Sequence, residues 1–321
     1  MKQFTARAYN SFTLDKKRSI TTKTSDTDRL KDEIGYYQDI HNTTFSCFFP
    51  RLFSSDDNKG SMSLEYYNYK DLGKQLIEDE NSITTFPWDK WEEITQKLSD
   101  ILNMFKTVSI PQTYLPTNND KKSMYIDKTL HYYRDLIDNF EYFKNLTKQS
   151  TINVNGQTLY SLDSIWNCVE KEIENIIYDN PMTIIHGDMC FSNILYSYDK
   201  DVSIIKFIDP RGRFGQKGIY GDPLYDIAKL IHSYEGRYEY IINDEFNINY
   251  TSNKVTYNFN HPFSKYKVSD IFNQVKMFTD PAAKLVTGLI FIGMCSRHYD
   301  SLERQIIMYC TGLKMLNEAI K

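Results

Sequence analysis

The sequence predicts an α+β chain of two lobes, a small β-rich lobe over residues 1–72 and a larger, mostly helical lobe over residues 73–321. Three observations lead there. Apolar residues alternate in short runs as far as Asp71, the period of half-buried strands. Beyond Asp71-Leu72-Gly73 the apolar spacing changes to three and four, the period of amphipathic helices. Within the helical half, the polar stretch His186-Gly187-Asp188-Met189-Cys190-Phe191-Ser192-Asn193 interrupts two apolar segments, as a loop lining a cleft would. A chain of 321 residues is long for one core and natural for two lobes sharing a cleft.

Taken in order, residues 4–14 alternate as a strand, Lys16-Lys17-Arg18 forms a turn, and residues 18–24 make a second strand ending near Lys23. Ser25 or Asp26 caps a helix whose Leu30, Ile34 and Tyr37 share one face. Residues 45–53 and 61–67 read as two strands joined by the polar turn 54–60. The first lobe is therefore strand, strand, helix, strand, strand. In the second lobe, Trp91, Ile94, Leu98, Ile101, Leu102 and Phe105 are in helical register over residues 88–108. Residues 110–122 carry Pro and Asn and read as a loop, and residues 123–143 and 162–178 read as helices. A short buried strand spans 203–208, a helix starts at Tyr225, and residues 247–258 alternate as a hairpin. Helices over 268–278, 282–298 and 302–320 close the chain.

Composition narrows the function classes. A hydrophobic content of 41% is enough for a packed core, and a net charge of −4 with interspersed signs offers no basic stripe for nucleic acid. The N-terminus lacks an apolar signal core, and the longest apolar stretch, around 285–295, is too short and interrupted for membrane insertion. Five cysteines (Cys47, Cys168, Cys190, Cys295, Cys310) form no C-x-x-C pair and read as reduced thiols of a cytoplasmic protein. Cys190 lies in the polar loop, where a small packed residue is the simpler reading than a nucleophile.

The loop carries the chemistry. Asp188 follows His186-Gly187, Asn193 comes five residues later, and Asp209 ends the apolar run Ile204-Ile205-Lys206-Phe207-Ile208 sixteen residues after Asn193. Phosphoryl transfer asks for one carboxylate on the attacking hydroxyl, oxygen ligands for Mg2+, and a positive charge on the nucleotide phosphates. Asp188 suits the first task as a base. The Asn193 amide oxygen and the Asp209 carboxylate are hard ligands for the metal. A charge following so apolar a run is costly unless it is exposed or meets a cation. A turn or capping role is the alternative for each of these three. His186 reads as an orienting residue rather than a base. Asp226, opening a helix after Gly221-Asp222, could accept N–H groups of the loop. Lys23, ahead of Lys16 and Lys17, could contact phosphates, with Glu33 holding it as an ion pair. No G-x-G-x-x-G occurs; Tyr9-Asn10-Ser11-Phe12-Thr13 stands in its place, leaving Ser11 and backbone N–H groups to cover phosphates. Arg211 could bind a phosphate or an anionic acceptor, or be a solvated loop charge.

These residues resemble the aminoglycoside phosphotransferase and choline kinase family, within the bilobal protein-kinase-like fold. His186-Gly187-Asp188 to Asn193-Ile194-Leu195, Ile208-Asp209, and Gly221-Asp222 to Asp226-Ile227-Ala228 carry the resemblance. It implies an enzyme that moves the γ-phosphate of ATP (or GTP), with Mg2+, to a hydroxyl of a sugar, sugar derivative or amino alcohol. Asp188 would be the base, Asn193 and Asp209 the metal ligands, and Lys23 with Glu33 the phosphate contact. Glu65 to Tyr67 would present backbone groups to adenine, and the helices after residue 110 would build the acceptor pocket. More narrowly, the loop and Ile208-Asp209-Pro210-Arg211-Gly212 look like phosphotransferase-type proteins of bacterial capsule and surface-polysaccharide clusters. That likeness implies association with a sugar nucleotidyltransferase. The glycine-poor start leaves a second expectation, a non-catalytic nucleotide-binding scaffold. The lack of Ala-Pro-Glu and of a long activation loop argues against a protein kinase.

Overall fold

The computed structural model describes residues 10–25, 28–56, 58–83, 85–108, 110–111, 117–179, 181–199, 202–260 and 267–320. Its first part is a small antiparallel sheet. β1 (Asn10–Asp15) and β2 (Ile20–Ser25) pair around the basic turn, α1 (Asp28–Ile40) follows, and β3 (Leu52–Asp56) and β4 (Ser61–Glu65) complete the sheet in the order β1-β2-β4-β3. Leu30, Ile34 and Tyr37 of α1 are all buried, as the 3–4 spacing requires. Ser25 is the last residue of β2, and Asp26 lies outside the described residues. So do residues 4–9 of the first expected strand.

The stretch 45–53 is not one strand. Residues Thr44–Phe48 form a 3-10 turn and pairing starts only at Leu52. The aromatic residues that suggested a strand serve tertiary packing instead. Phe45 meets Phe105 at 5.1 Å between ring centroids, and Phe49 stacks on His186 at 6.2 Å.

A two-residue strand, Lys70–Asp71, carries the chain into the second part by pairing with Ile194–Asp199, which in turn pairs with Val202–Phe207. Helices then dominate. Pro223–Tyr234, Pro281–Cys295 and Leu302–Ala319 pack in sequence on one another and form the apolar centre. Asp222 caps the first of these by accepting from Leu224 N at 3.0 Å, and Pro223 takes the first turn, where no N–H is needed.

Two expectations change here. The helix expected over 123–143 is a helix Asn118–Lys122, a wide turn Ser123–Asp127, a helix Lys128–Asn139 and a short helix Glu141–Leu146, with Phe140 extended at the break. Thr117 caps the first piece within residues read as loop. Unforeseen strands Thr151–Val154 and Gln157–Tyr160 turn through Asn155-Gly156, both at positive φ, the type I′ signal. They join the expected hairpin, Phe246–Tyr250 with Lys254–Phe259, through a parallel pairing, making a four-stranded peripheral sheet. Among the described residues no helix is long and apolar enough to cross a membrane. Cys190, Cys295 and Cys310 are buried, Cys47 and Cys168 exposed, and all are free thiols.

Candidate active site

Strand pairing explains how Asn193 and Asp209 meet. Ile194 lies opposite Phe207 in the hairpin, so the residues just outside it face each other, and Ile208 N donates to Asn193 O at 3.0 Å. Asp209 is the next residue and sits at φ 55°, a left-handed conformation uncommon for aspartate in ordinary chain. That twist turns its carboxylate away from the strand and toward β2. There Lys23 Nζ donates to Asp209 Oδ1 at 2.9 Å and to Glu33 Oε2 of α1 at 2.7 Å. Two carboxylates, one from the helix and one from the second part of the chain, thus share one ammonium from the sheet.

The register of the sheet decides which neighbours that ammonium has. Lys23 pairs with Phe12 and with Met62, so all three side chains share the inner face, and the Phe12 ring lies 5.9 Å from the ammonium. Burial alone would lower the Lys23 pKa, but the charges of Glu33 and Asp209 outweigh it and hold it above the ordinary lysine value. At Glu33 burial works upward on the carboxyl while the Lys23 charge works downward. Burial opposes ionisation of Asp209 too, yet the Lys23 charge wins and its carboxyl is lowered.

The loop 186–193 is suspended by buried acceptors. Asp226 takes the N–H groups of His186 and Gly187 at 2.6 and 2.7 Å. Ser233 Oγ takes Phe191 N at 2.9 Å, and Glu239 takes Ser192 N at 3.2 Å. His186 links this loop to the Asp209 strand: its Nδ1 accepts from Asp188 N at 3.2 Å and its Nε2 donates to Ile208 O at 2.9 Å. Burial lowers its pKa to about 4, so the ring is neutral. Asn193 Nδ2 donates to Asp188 O at 2.8 Å, which leaves its amide oxygen for another partner. Cys190 is buried and its thiol is pushed up to about 12, chiefly by that burial, which makes a thiolate nucleophile a poor reading.

Among the described residues no three His, Cys, Asp or Glu side chains converge to hold a metal. Asp209 and Asn193 offer one carboxylate and one amide oxygen, hard donors of the chemical kind that Mg2+ takes.

Other candidates fall elsewhere. Ser11 is within β1, opposite Thr24, and therefore on the face of the sheet away from Lys23. The strand expected over residues 4–14 is present from residue 10 onward, continuously paired with β2; Tyr9 lies outside the described residues. Glu65 ends β4, and its side chain accepts from Tyr67 Oη at 2.6 Å and Arg51 N at 3.3 Å. It lines a cavity of about 450 Å3 with His41, Cys47, Arg51 and Lys206 that contains none of Lys23, Asp188, Asn193 or Asp209. Lys206 lies over the Tyr67 ring at 4.8 Å. Arg211 stays beside the loop: its N–H donates to His186 O at 2.9 Å and its guanidinium to Tyr225 Oη at 3.2 Å. Arg213 instead holds Asp32 of α1 at 2.8 Å.

One residue escaped sequence reasoning. Lys229 Nζ lies 2.9 Å from Asp188 Oδ1, and its side chain is only 5% exposed. Burial disfavours its charge, but Asp188 more than compensates and the net shift is upward. The available signal was a lysine in the otherwise apolar run Ile227-Ala228-Lys229-Leu230-Ile231, a position that demands a buried counter-charge.

No family model matches the chain, and no curated protein sequence matches it. Solved structures do. The ADP-bound aminoglycoside phosphotransferase APH(2'')-Ib superposes with a TM-score of 0.54 at 12% identity, over 99% of this chain and 93% of that one. A thermostable mutant of aminoglycoside phosphotransferase APH(4)-Ia, in ternary complex with AMP-PNP and hygromycin B, gives 0.51 at 10% identity, over 99% and 95%. Choline kinase LicA from Streptococcus pneumoniae gives 0.49 at 13% identity, over 98% and 92%. With its small antiparallel sheet, its helical second part and coverage of nearly the whole chain, the protein has the protein-kinase-like fold of the aminoglycoside phosphotransferases.

Proposed function

We propose that the protein is an ATP- and Mg2+-dependent phosphotransferase that moves the γ-phosphate to a hydroxyl of a small molecule. The observation carrying this reading is the ion triad Lys23–Glu33–Asp209, set beside a loop that presents Asp188 and Asn193. Such a triad joins a phosphate-binding cation to a metal-binding carboxylate, the pairing that kinase-type transfer uses. The fold's occurrence in a protein bound to ADP and in one bound to AMP-PNP supports a nucleotide between the two parts of the chain, residues 1–72 and 73–321.

Asp188 accepts the proton of the acceptor hydroxyl as that oxygen bonds to the γ-phosphorus and the bond to the β-phosphate oxygen breaks, releasing ADP. Lys229 holds the Asp188 carboxylate in place by its ion pair. Lys23 contacts the nucleotide phosphates, and Glu33 positions Lys23. Asn193 and Asp209 would hold Mg2+, which when bound neutralises phosphate charge. Glu65 to Tyr67 offer backbone groups to the adenine. His186 and Asp226 keep the loop rigid, so the geometry is set before substrate arrives. The acceptor is a sugar, sugar derivative or amino alcohol, and a role in surface-polysaccharide synthesis beside a sugar nucleotidyltransferase is part of the same reading.

ADP release measured over a panel of hydroxylated acceptors tests it. Asp188→Asn should reduce kcat by roughly 10²–10⁴-fold while circular dichroism stays that of the parent. Turnover within a few-fold of the parent would refute the assignment. A thermal shift with ATP that needs no Mg2+, together with no ADP release on any acceptor, would instead favour a nucleotide-binding scaffold.

A further inference from the structure

Resting on the phosphotransfer reading, we propose that the acceptor is an anion: a hydroxyl compound bearing a carboxylate or phosphate, held by Lys128 and Arg211 where both lean on the buried Tyr225 beside Asp188. The aminoglycosides named for structural neighbours are cationic, so this narrows the acceptor in a direction the fold does not suggest.

The argument starts from the helices that form the floor of the site. Lys128–Asn139, Pro223–Tyr234 and Pro281–Cys295 pack together, and their near ends bring basic residues to one place. Tyr225 is the centre. Its hydroxyl lies 3.3 Å from Lys128 Nζ and 3.2 Å from Arg211 Nη1, and its ring lies 5.6 Å from the first cation and 5.8 Å from the second. Tyr225 precedes Asp226, the residue suspending the loop, so this cluster is rigidly tied to Asp188. Lys229 stands one helical turn further on and Arg297 follows the third helix, over the ring of Tyr132 at 5.8 Å.

Among the described residues no carboxylate forms an ion pair with Lys128 or Arg211, although both are only half-buried and able to receive one from outside. Asp188, the nearby carboxylate, is already paired with Lys229. Burial first, and then the charges of Arg211, Arg297 and Lys229, pull the Lys128 ammonium below its ordinary pKa, against the opposing attraction of Asp188. An anion bound between Lys128 and Arg211 relieves that repulsion, whereas an ammonium-bearing acceptor adds to it. A planar guanidinium and an ammonium over one tyrosine also suit the fork of a carboxylate or phosphate. Lys128, Arg211 and Tyr225 come from the second part of the chain, whereas Lys23 stands on β2 of the first.

Calorimetric titration tests the proposal with matched probes on the AMP-PNP- and Mg2+-loaded protein: glucuronate, glucose and glucosamine, then glycerol 3-phosphate, glycerol and choline. In at least one set the anion should bind roughly tenfold more tightly than the neutral member, and the cation most weakly. The double variant Lys128→Met/Arg211→Gln should lose that tenfold advantage and keep the affinity for the neutral probe. Preference for glucosamine or choline, no preference for the anion in both sets, or an advantage that survives the double substitution overturns the proposal. A loss of AMP-PNP affinity in the double variant with the probe ranking unchanged also overturns it, because the cations would then be holding nucleotide. Nucleotide binding is measured separately by thermal shift on the unsubstituted protein. Its absence sinks the phosphotransfer reading itself, while its presence with a cationic preference sinks only the anion.

Discussion

His186 illustrates how much one buried side chain can be asked to do. It is fully buried, flanked by Phe49 and Phe207, accepts on Nδ1 and donates on Nε2. A protonated ring could not accept from Asp188 N, so the fold needs the neutral form. In the folded state its pKa is lowered to about 4, against 6.5 when exposed. Between these values the unfolded chain binds a proton that the folded chain refuses. This contribution to stability is therefore complete above pH 6.5 and is lost as pH falls toward 4, by about 3 kcal/mol in all. Replacing His186 with Asn removes this term. Urea unfolding from pH 7 to 4 should show the parent losing stability relative to His186→Asn; parallel curves would contradict the mechanism. His186 and Asp188 were legible from spacing in the loop. Lys128 was not, because a lysine among polar helix neighbours is a solvated charge until its neighbours in space are known, and for Lys229 the apolar run signalled burial without naming the partner.

At the scale of elements, the loop 186–193 owes its shape to acceptors on a helix that follows it by some forty residues, as the Gly187–Asp226 bond shows. Gly187 is required there. It sits at φ 78°, and a Cβ would lie 2.7 Å from the Cβ of Arg211. Gly187→Ala should destabilise the fold by about 1–3 kcal/mol from backbone strain and lower kcat by roughly 10²-fold through displacement of Asp188. An alanine variant with the parent's kcat would show that the loop tolerates movement. Of the hairpin around Asn193 and Asp209, the apolar strand 203–208 was readable, whereas its partner Ile194–Asp199 was hidden behind the polar loop. The run 45–53 was misread: its phenylalanines fill space against His186 and Phe105, and sequence pattern alone cannot separate that use from a strand. The hairpin at Asn155-Gly156 carried a strong turn signal that was missed beside the long helices around it.

Across the whole molecule, ion pairs divide by burial. Asp32 of α1 meets Arg213 and Lys217 in pairs whose basic side chains are 44% and 62% exposed. Glu80 is fully buried, takes Arg237 as partner, and accepts from Tyr240 Oη at 2.8 Å and Val268 N at 2.8 Å. The exposed contact between the two parts of the chain should therefore be weak, and the contact inside the helical part strong. Asp32→Ala should change the unfolding free energy by about 1 kcal/mol or less. Glu80→Ala, which strands a buried guanidinium, should cost about 3–5 kcal/mol. Equal costs in chemical denaturation would mean that the small sheet is locked to the helical part rather than free to move over a nucleotide.

Local regularities determined the architecture: alternating strands, 3–4 helical spacing and a polar loop between apolar segments are each set by backbone geometry over a few residues. They sufficed for the two-part α+β fold and for the membership of Asp188, Asn193 and Asp209 in one short region of chain. Tertiary structure decided which charges meet. Lys23 reaches Asp209 across 186 residues, Lys229 reaches Asp188, and Lys128 comes to lie beside Arg211 around Tyr225. Such pairings depend on the packing of distant helices and sheets, because electrostatic attraction acts through space and carries no trace of separation along the chain.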